Sequence, residues 1–168
     1  MFLRPAWPED ADAIYRGIAD EAVVRNLASA PWPYHPADAA EFAQLPHDAS
    51  HPRFMVTLPE SGELVGCIGI DPHGDDIEMG YWIARRHWGR GYATEAGQAV
   101  IEMARMIGRK RIVASHFADN PASGRVLRKL GFSPTGSVEP RKSLGRGAPA
   151  EAIGYCLNLE IPQSRRAA

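Results

Sequence analysis

The sequence predicts an α/β (α+β) domain: a mixed, mostly antiparallel sheet flanked by helices. Three observations carry the prediction. Helical spacing near the start gives way, from Arg53, to short β-rich runs separated by turn residues, the pattern of an antiparallel meander. A long amphipathic stripe follows over Ala93 to Ile107, and then a strand, a helix and a closing hairpin. Elements in that order bury their apolar faces as a sheet covered by helices.

Phe2 to Arg4 is read as a short first strand. Pro8-Glu9-Asp10 then opens a helix that places Ala11, Ile14 and Ile18 on one face. Glu21 to Leu27 reads as a second short helix. The run Ala30-Pro31-Trp32-Pro33-Tyr34-His35-Pro36 is a shaped aromatic loop, because its prolines remove donors and restrict their neighbours. Asp38 to Leu45 offers another helix, stopped by Pro46. Phe54 to Leu58 and Leu64 to Ile70 form a hairpin about the turn Pro59 to Glu63, and Ile77 to Ile83 extends it after the turn at Pro72 to Asp76. In the long helix, Ala96, Val100, Met103, Ala104 and Ile107 recur at helical spacing, and Gly108 ends it. Arg111 to Phe117 is a strand, and Pro121 to Leu130 a helix opened by proline and closed by Gly131. Strands near Ser133 to Val138 and Ala152 to Leu159 complete the sheet.

The 168 residues suit one domain, expected over 1–162 with a frayed tail over 163–168. Nineteen basic against twenty acidic residues give a net charge of −1, which removes the footprint of a dedicated nucleic-acid binder. Acidic Glu9 and Asp10 stand where a leader would be apolar, and no run is long enough to span a membrane, so a cytoplasmic location is the expectation. Cys67 and Cys156 lie apart in apolar strands and make neither a disulfide framework nor a metal site, and no metal is expected.

The segment from Ile83 to Ala96 carries the chemistry. It joins a strand to the long helix through Trp88-Gly89-Arg90-Gly91-Tyr92-Ala93-Thr94. Glycines at alternate positions let the main chain aim its N–H groups at one point, and the helix adds unpaired amides and a positive dipole end. Arg85, Arg86 and Arg90 bring charge that suits a pyrophosphate. A Rossmann fingerprint is incomplete here, and a P-loop would need Gly-Lys-Ser/Thr where Gly-Tyr-Ala stands.

Trp88 to Ala96 resembles the acetyl-CoA pyrophosphate loop of the GNAT N-acetyltransferase superfamily. Trp88 at the first motif position, Gly80-Tyr81-Trp82 before the loop, Asn120-Pro121-Ala122-Ser123 and Lys129-Leu130-Gly131-Phe132 are similar to its RimJ/RimL-type branch. Leu3-Arg4-Pro5 and the Pro31 to Tyr34 loop fit the same likeness. The resemblance implies a GNAT-like sheet splayed between its fourth and fifth strands, with acetyl-CoA entering the opening. It further implies cofactor contacts from residues 88–94, from the main chain of Ile83 and Ala84, and from Asn120 and Ser123, with Ser123 near the sulfur.

Acetyl transfer needs a neutral amine, a stabilised oxyanion and a proton donor for the thiolate. Many superfamily members use a tyrosine in the last helix, and the likeness puts Leu127 there, so Ser123 is the replacement donor, or else only a capping hydroxyl. Glu78 is the candidate base, or else a solvated or arginine-paired carboxylate. Trp32 and Tyr34 are candidate acceptor contacts, or else cover for the core. Trp82 and Trp88 either pack under the cofactor or fill the core. His87 is read as an exposed flank; His35, His47, His51, His73 and His116 show no ligand spacing. Arg141, Lys142 and Arg146 are read as a solvated hairpin tip.

The expected function is N-acetyl transfer from acetyl-CoA by direct attack in a ternary complex, by a monomer or homodimer. The resemblance favours a protein N-terminal α-amine as acceptor. A small amine, amino acid or aminoglycoside is the alternative, and a CoA-binding module without turnover is a third. An enzyme acting on aminoacyl-tRNA would show a positive acceptor face, against which the near-neutral charge argues.

Overall fold

The computed structural model describes residues 1–159, so the tail expected over 163–168 lies outside the described residues. Seven strands form one sheet in the order β1-β2-β3-β4-β5-β7-β6. They are β1 (Phe2–Arg4), β2 (Arg53–Thr57), β3 (Leu64–His73), β4 (Asp76–Ile83), β5 (Arg111–Phe117), β6 (Ser133–Arg141) and β7 (Ala150–Asn158). Neighbouring strands run antiparallel except β4 and β5, which are parallel. The β3–β4 ladder is continuous from Gly66↔Ile83 to His73↔Asp76. By contrast β4 meets β5 only at Ile77↔Ile112 and Glu78↔Val113, and beyond Glu78 the two strands part. The splay between the fourth and fifth strands is therefore present.

Among the described residues five α-helices cover the sheet: α1 (Ala11–Ile18), α2 (Glu21–Val24), α3 (Pro36–Ala43), α4 (Tyr92–Met106) and α5 (Pro121–Lys129). Local chemistry sets their ends. Asp20 caps α2 by accepting from the Ala22 amide at 2.9 Å. Helix α3 starts at Pro36, two residues before the expected Asp38, because proline suits the first helical position and the Asp38 carboxylate accepts from the His35 amide at 2.7 Å. Asn120 caps α5, with Pro121 at its first position. Strand β6 runs three residues past the expected Val138, through Pro140; it tolerates Pro134 and Pro140 because it lies at the sheet edge.

The period-2 alternation of β4 divides the molecule into two cores. Ile77 and Met79 join Val100, Ile112 and Leu127 beneath α4 and α5. Trp82 joins Ile14, Val24, Ala39 and Met55 beneath α1, α2 and α3. Close approach of α4 to α5 depends on Gly97, where an added Cβ would lie 2.5 Å from Leu130 Cδ1. The parting of β4 from β5 thus opens a passage between the layer of α4 and α5 and the layer of α1, α2 and α3.

Candidate active site

A half-open cleft of about 860 Å³ runs through the splay and reaches both layers. On the α4 side its wall includes Trp88, Gly89, Gly91, Tyr92, Ala93 and Thr94, and α5 contributes Asn120 and Ser123. Gly89 and Gly91 have φ of +76° and +87°, a region L-residues avoid. Gly91 is the N-cap of α4 and has no side-chain cap. Among the described residues the amides of Gly89, Arg90 and Gly91 donate to no main-chain carbonyl. An added Cβ at either glycine meets nothing within 4 Å, so the turn is an open cradle of amides at a helix N-terminus. These features fit the diphosphate of acetyl-CoA.

The arginines divide their work. Arg86 donates to Glu63 at 3.0 Å, and Arg85 lies 3.5 Å from Asp20, so both brace the loop from behind. Arg90 makes no ion pair among the described residues and sits in the turn itself. Arg125 and Lys129, to which the sequence reading gave no role, line the cleft from α5 and add positive charge on the same side. Trp88 props the loop: the residue is 46% exposed and its indole Nε1 donates to the Ile83 carbonyl at 2.7 Å.

That bond changes what the end of β4 offers. The Ile83 carbonyl is engaged by Trp88, and the Ala84 amide donates to Val65 at 2.8 Å. Alternation along β4 turns the remaining free edge toward the gap at Met79 and Tyr81, with the Ile83 amide. The strand-like docking edge therefore runs from Met79 to the Ile83 amide, while the Ile83 carbonyl and the Ala84 amide are already engaged.

Glu78 stands where β4 and β5 separate, but it is not free. Arg141 reaches it from β6 with both guanidinium nitrogens, Nη2 donating to Oε2 at 2.8 Å, and Nη1 also donates to Ser115 Oγ at 2.6 Å. Hydrogen bonding to Glu78 holds the Arg141 guanidinium above its usual value. Arg141 is thus a clamp across the splay and no part of a solvated tip. The connection after it also folds back: Ser143 Oγ donates to the Leu27 carbonyl at 2.9 Å, and Arg146 pairs with Asp119 at 2.7 Å. It does so because loop 25–29 presents main-chain carbonyls that β-strands have not used.

Ser123 lies in the first turn of α5, where its amide donates to Asn120 Oδ1 at 3.3 Å. Its hydroxyl is 2.8 Å from the Tyr81 hydroxyl. Leu127, in the position the resemblance would give to tyrosine, is fully buried. On the acceptor side Tyr34 is buried and lines the cleft, whereas Trp32 is 41% exposed and lies outside it. Burial, helped by the nearby Asp38, Cys67 and Glu41, pushes the Tyr34 phenol up to about 12. His87 is buried, contrary to the exposed flank expected of it, because Glu63 Oε1 lies 3.0 Å from its Nε2 and supplies the missing partner. His116 is satisfied through Nδ1 and the Phe117 carbonyl at 2.8 Å. No His/Cys/Asp/Glu group able to hold a metal occurs among the described residues, and no helix there is long and apolar enough to cross a membrane.

A splayed sheet with an amide cradle at the mouth of its opening defines the class: an acyltransferase working on a CoA thioester. The chain belongs to the acetyltransferase (GNAT) domain family, whose model matches residues 1–133. It is 30% identical over 155 residues to the uncharacterized N-acetyltransferase p20 of Bacillus licheniformis, covering 87% of this chain and 86% of the relative. It is 30% identical over 102 residues to the ribosomal-protein-serine acetyltransferase of Escherichia coli, covering 58% and 56%. Among solved structures, a GNAT acetyltransferase from Bacillus anthracis superposes with a TM-score of 0.82 at 23% identity, covering 95% of each chain. The spermidine N-acetyltransferase of Vibrio cholerae, solved with CoA and spermine, gives 0.76 at 18% identity, covering 94% and 95%. The protein is an N-acetyltransferase, with the mixed, splayed sheet of its family.

Proposed function

We propose that the protein transfers acetyl from acetyl-CoA to an α-amine at the N-terminus of a protein or peptide, by direct attack in a ternary complex. The observation that carries this reading is the clamp on Glu78. With both oxygens held by Arg141, the carboxylate best placed to be a base is committed elsewhere. A site without a free base works best on an amine that supplies its own neutral fraction. About one α-amine in ten is neutral at pH 7, against about one lysine amine in two thousand, from reference values near 8 and 10.4. The similarity to a ribosomal-protein-serine acetyltransferase favours a protein acceptor.

In this reading the amides of residues 89–91 and the N-terminus of α4 bind the diphosphate, and the free edge of β4 pairs with the amides of the pantetheine arm as an added strand would. Asn120 fixes the start of α5 and Ser123 donates to the departing sulfur. Tyr34 and the apolar wall at Trp82 shape the acceptor side. Arg141 occupies both Glu78 oxygens and ties β4 to β6 across the splay.

The test is acetylation of a peptide panel with free or blocked N-termini, together with lysine-rich peptides and polyamines, read by mass shift. Free N-termini should be acetylated and blocked ones should not. Preferential turnover of polyamines or lysine side chains would overturn the α-amine assignment.

A further inference from the structure

The hydrogen bond between the hydroxyls of Tyr81 and Ser123 has no counterpart in the reading from sequence. Tyr81 extends from β4 just beyond Glu78, the last residue paired with β5, and its ring packs with the core beneath α4 and α5. Its oxygen lies 2.8 Å from Ser123 Oγ, and both residues line the cleft. The bond therefore spans the splay, tying the free edge of β4 to the first turn of α5. The serine end is fixed by the Asn120 cap, and by Gly124, which lets α5 approach β5 so closely that an added Cβ would lie 2.5 Å from His116 Nε2.

Two hydroxyls sharing one hydrogen bond leave one proton to spare. Ser123 Oγ is the hydrogen-bond partner of the Tyr81 oxygen, and the phenol is the better donor of the pair. Burial raises the phenol above its ordinary value, against the opposing influence of the serine, so it remains a protonated donor at neutral pH. When the phenol donates, the serine proton is left to point into the cleft.

We propose that Tyr81 is a positioning residue for the transfer: its phenol donates to Ser123 Oγ and thereby directs the serine hydroxyl at the sulfur of CoA. The inference rests on the cleft being the site of acetyl transfer. In that step the amine nitrogen bonds to the acetyl carbon, and the C–S bond breaks with its electron pair on sulfur. The Ser123 O–H stabilises the resulting thiolate by hydrogen bonding. Water takes the proton lost by nitrogen, and the thiolate takes a proton from water on release, so neither hydroxyl changes its protonation state.

The test titrates the thiol of bound CoA, followed by thiolate absorbance in wild type, Y81F, S123A and the double variant. No acceptor is needed. The thiol should titrate about one pH unit lower in wild type than in Y81F, a tenfold change in equilibrium. S123A should give the same shift, and the double variant no more. Calorimetric affinity for CoA should stay within about twofold, and with a working acceptor kcat in Y81F should fall about tenfold with little change in KM. Equal titration in wild type and Y81F overturns the inference, as does a shift in Y81F that S123A does not share. Binding of CoA with the expected titration, but no acetylation of any free N-terminus, would remove the proposed acceptor and leave the orientation of Ser123 by Tyr81 standing. Failure to bind CoA would remove both.

Discussion

Substituting Gly91 by alanine tests the anion cradle quantitatively, because the same helix supplies its own control. Gly91 caps the start of α4 at φ +87°, and Gly108 follows its end at φ +77°. An added Cβ meets nothing within 4 Å at either position, so steric clash drops out and only backbone strain remains. Left-handed backbone costs an L-residue about 1–2 kcal/mol. In G108A that strain has no ligand to disturb, and it should appear as a fall in Tm of about 2–8 °C. In G91A the turn is exposed and free to relax, so much of the same cost should pass to ligand binding, where the cradle must be rebuilt. That corresponds to a Kd for CoA roughly 5- to 30-fold weaker. Calorimetry with CoA, paired with thermal unfolding, measures both. If G91A binds CoA as tightly as G108A does, the turn is not the diphosphate site and the argument from its geometry fails.

Three further outcomes follow from the site. R141M strands the Glu78 carboxylate, whose side chain is 18% exposed, and should destabilise by about 1–3 kcal/mol; the double variant E78M/R141M should recover most of it, measured by urea unfolding. Because the Tyr34 phenol is raised to about 12 from an ordinary value near 10, its stabilising contribution is complete below pH 10 and is lost as pH rises toward 12. Y34F should therefore flatten that alkaline loss, worth about 2–3 kcal/mol, in an unfolding series against pH. Burial likewise pushes the Cys67 thiol up to about 12, so at neutral pH an alkylating reagent should modify half-buried Cys156 first, as peptide mapping will show; faster labelling of Cys67 would contradict its burial.

Much of the fold was legible because its signals are local. Asn120-Pro121 announces a capped helix, Gly108 a helix end and the turn at Pro59 to Glu63 a hairpin, each by chemistry contained in a few residues. Where boundaries moved, a competing local rule explains it: proline at the first position drew α3 back to Pro36, and edge exposure let β6 continue through Pro140. The glycine-rich turn was legible for the same reason, since positive φ is a demand on single residues.

The catalytic middle of the cleft was not legible, because every pairing there joins distant segments. Glu78 and Arg141 are 63 positions apart, Tyr81 and Ser123 42, and His87 meets a glutamate 24 residues earlier. Nothing in the run Glu78-Met79-Gly80-Tyr81 says which neighbour its side chains find; the answer depends on where β4 leaves β5. That departure point is the decisive feature. At that point strand pairing places Glu78 beside Ser115 and within reach of Arg141; three residues beyond, the open edge lets Tyr81 reach across to α5. The splay therefore both opens the cleft and assigns the side chains around it: a carboxylate held by its arginine, and a serine bonded to a phenol. A shift of the β4 register by one residue would exchange the faces of Glu78 and Tyr81 and abolish both arrangements while leaving the amide cradle intact.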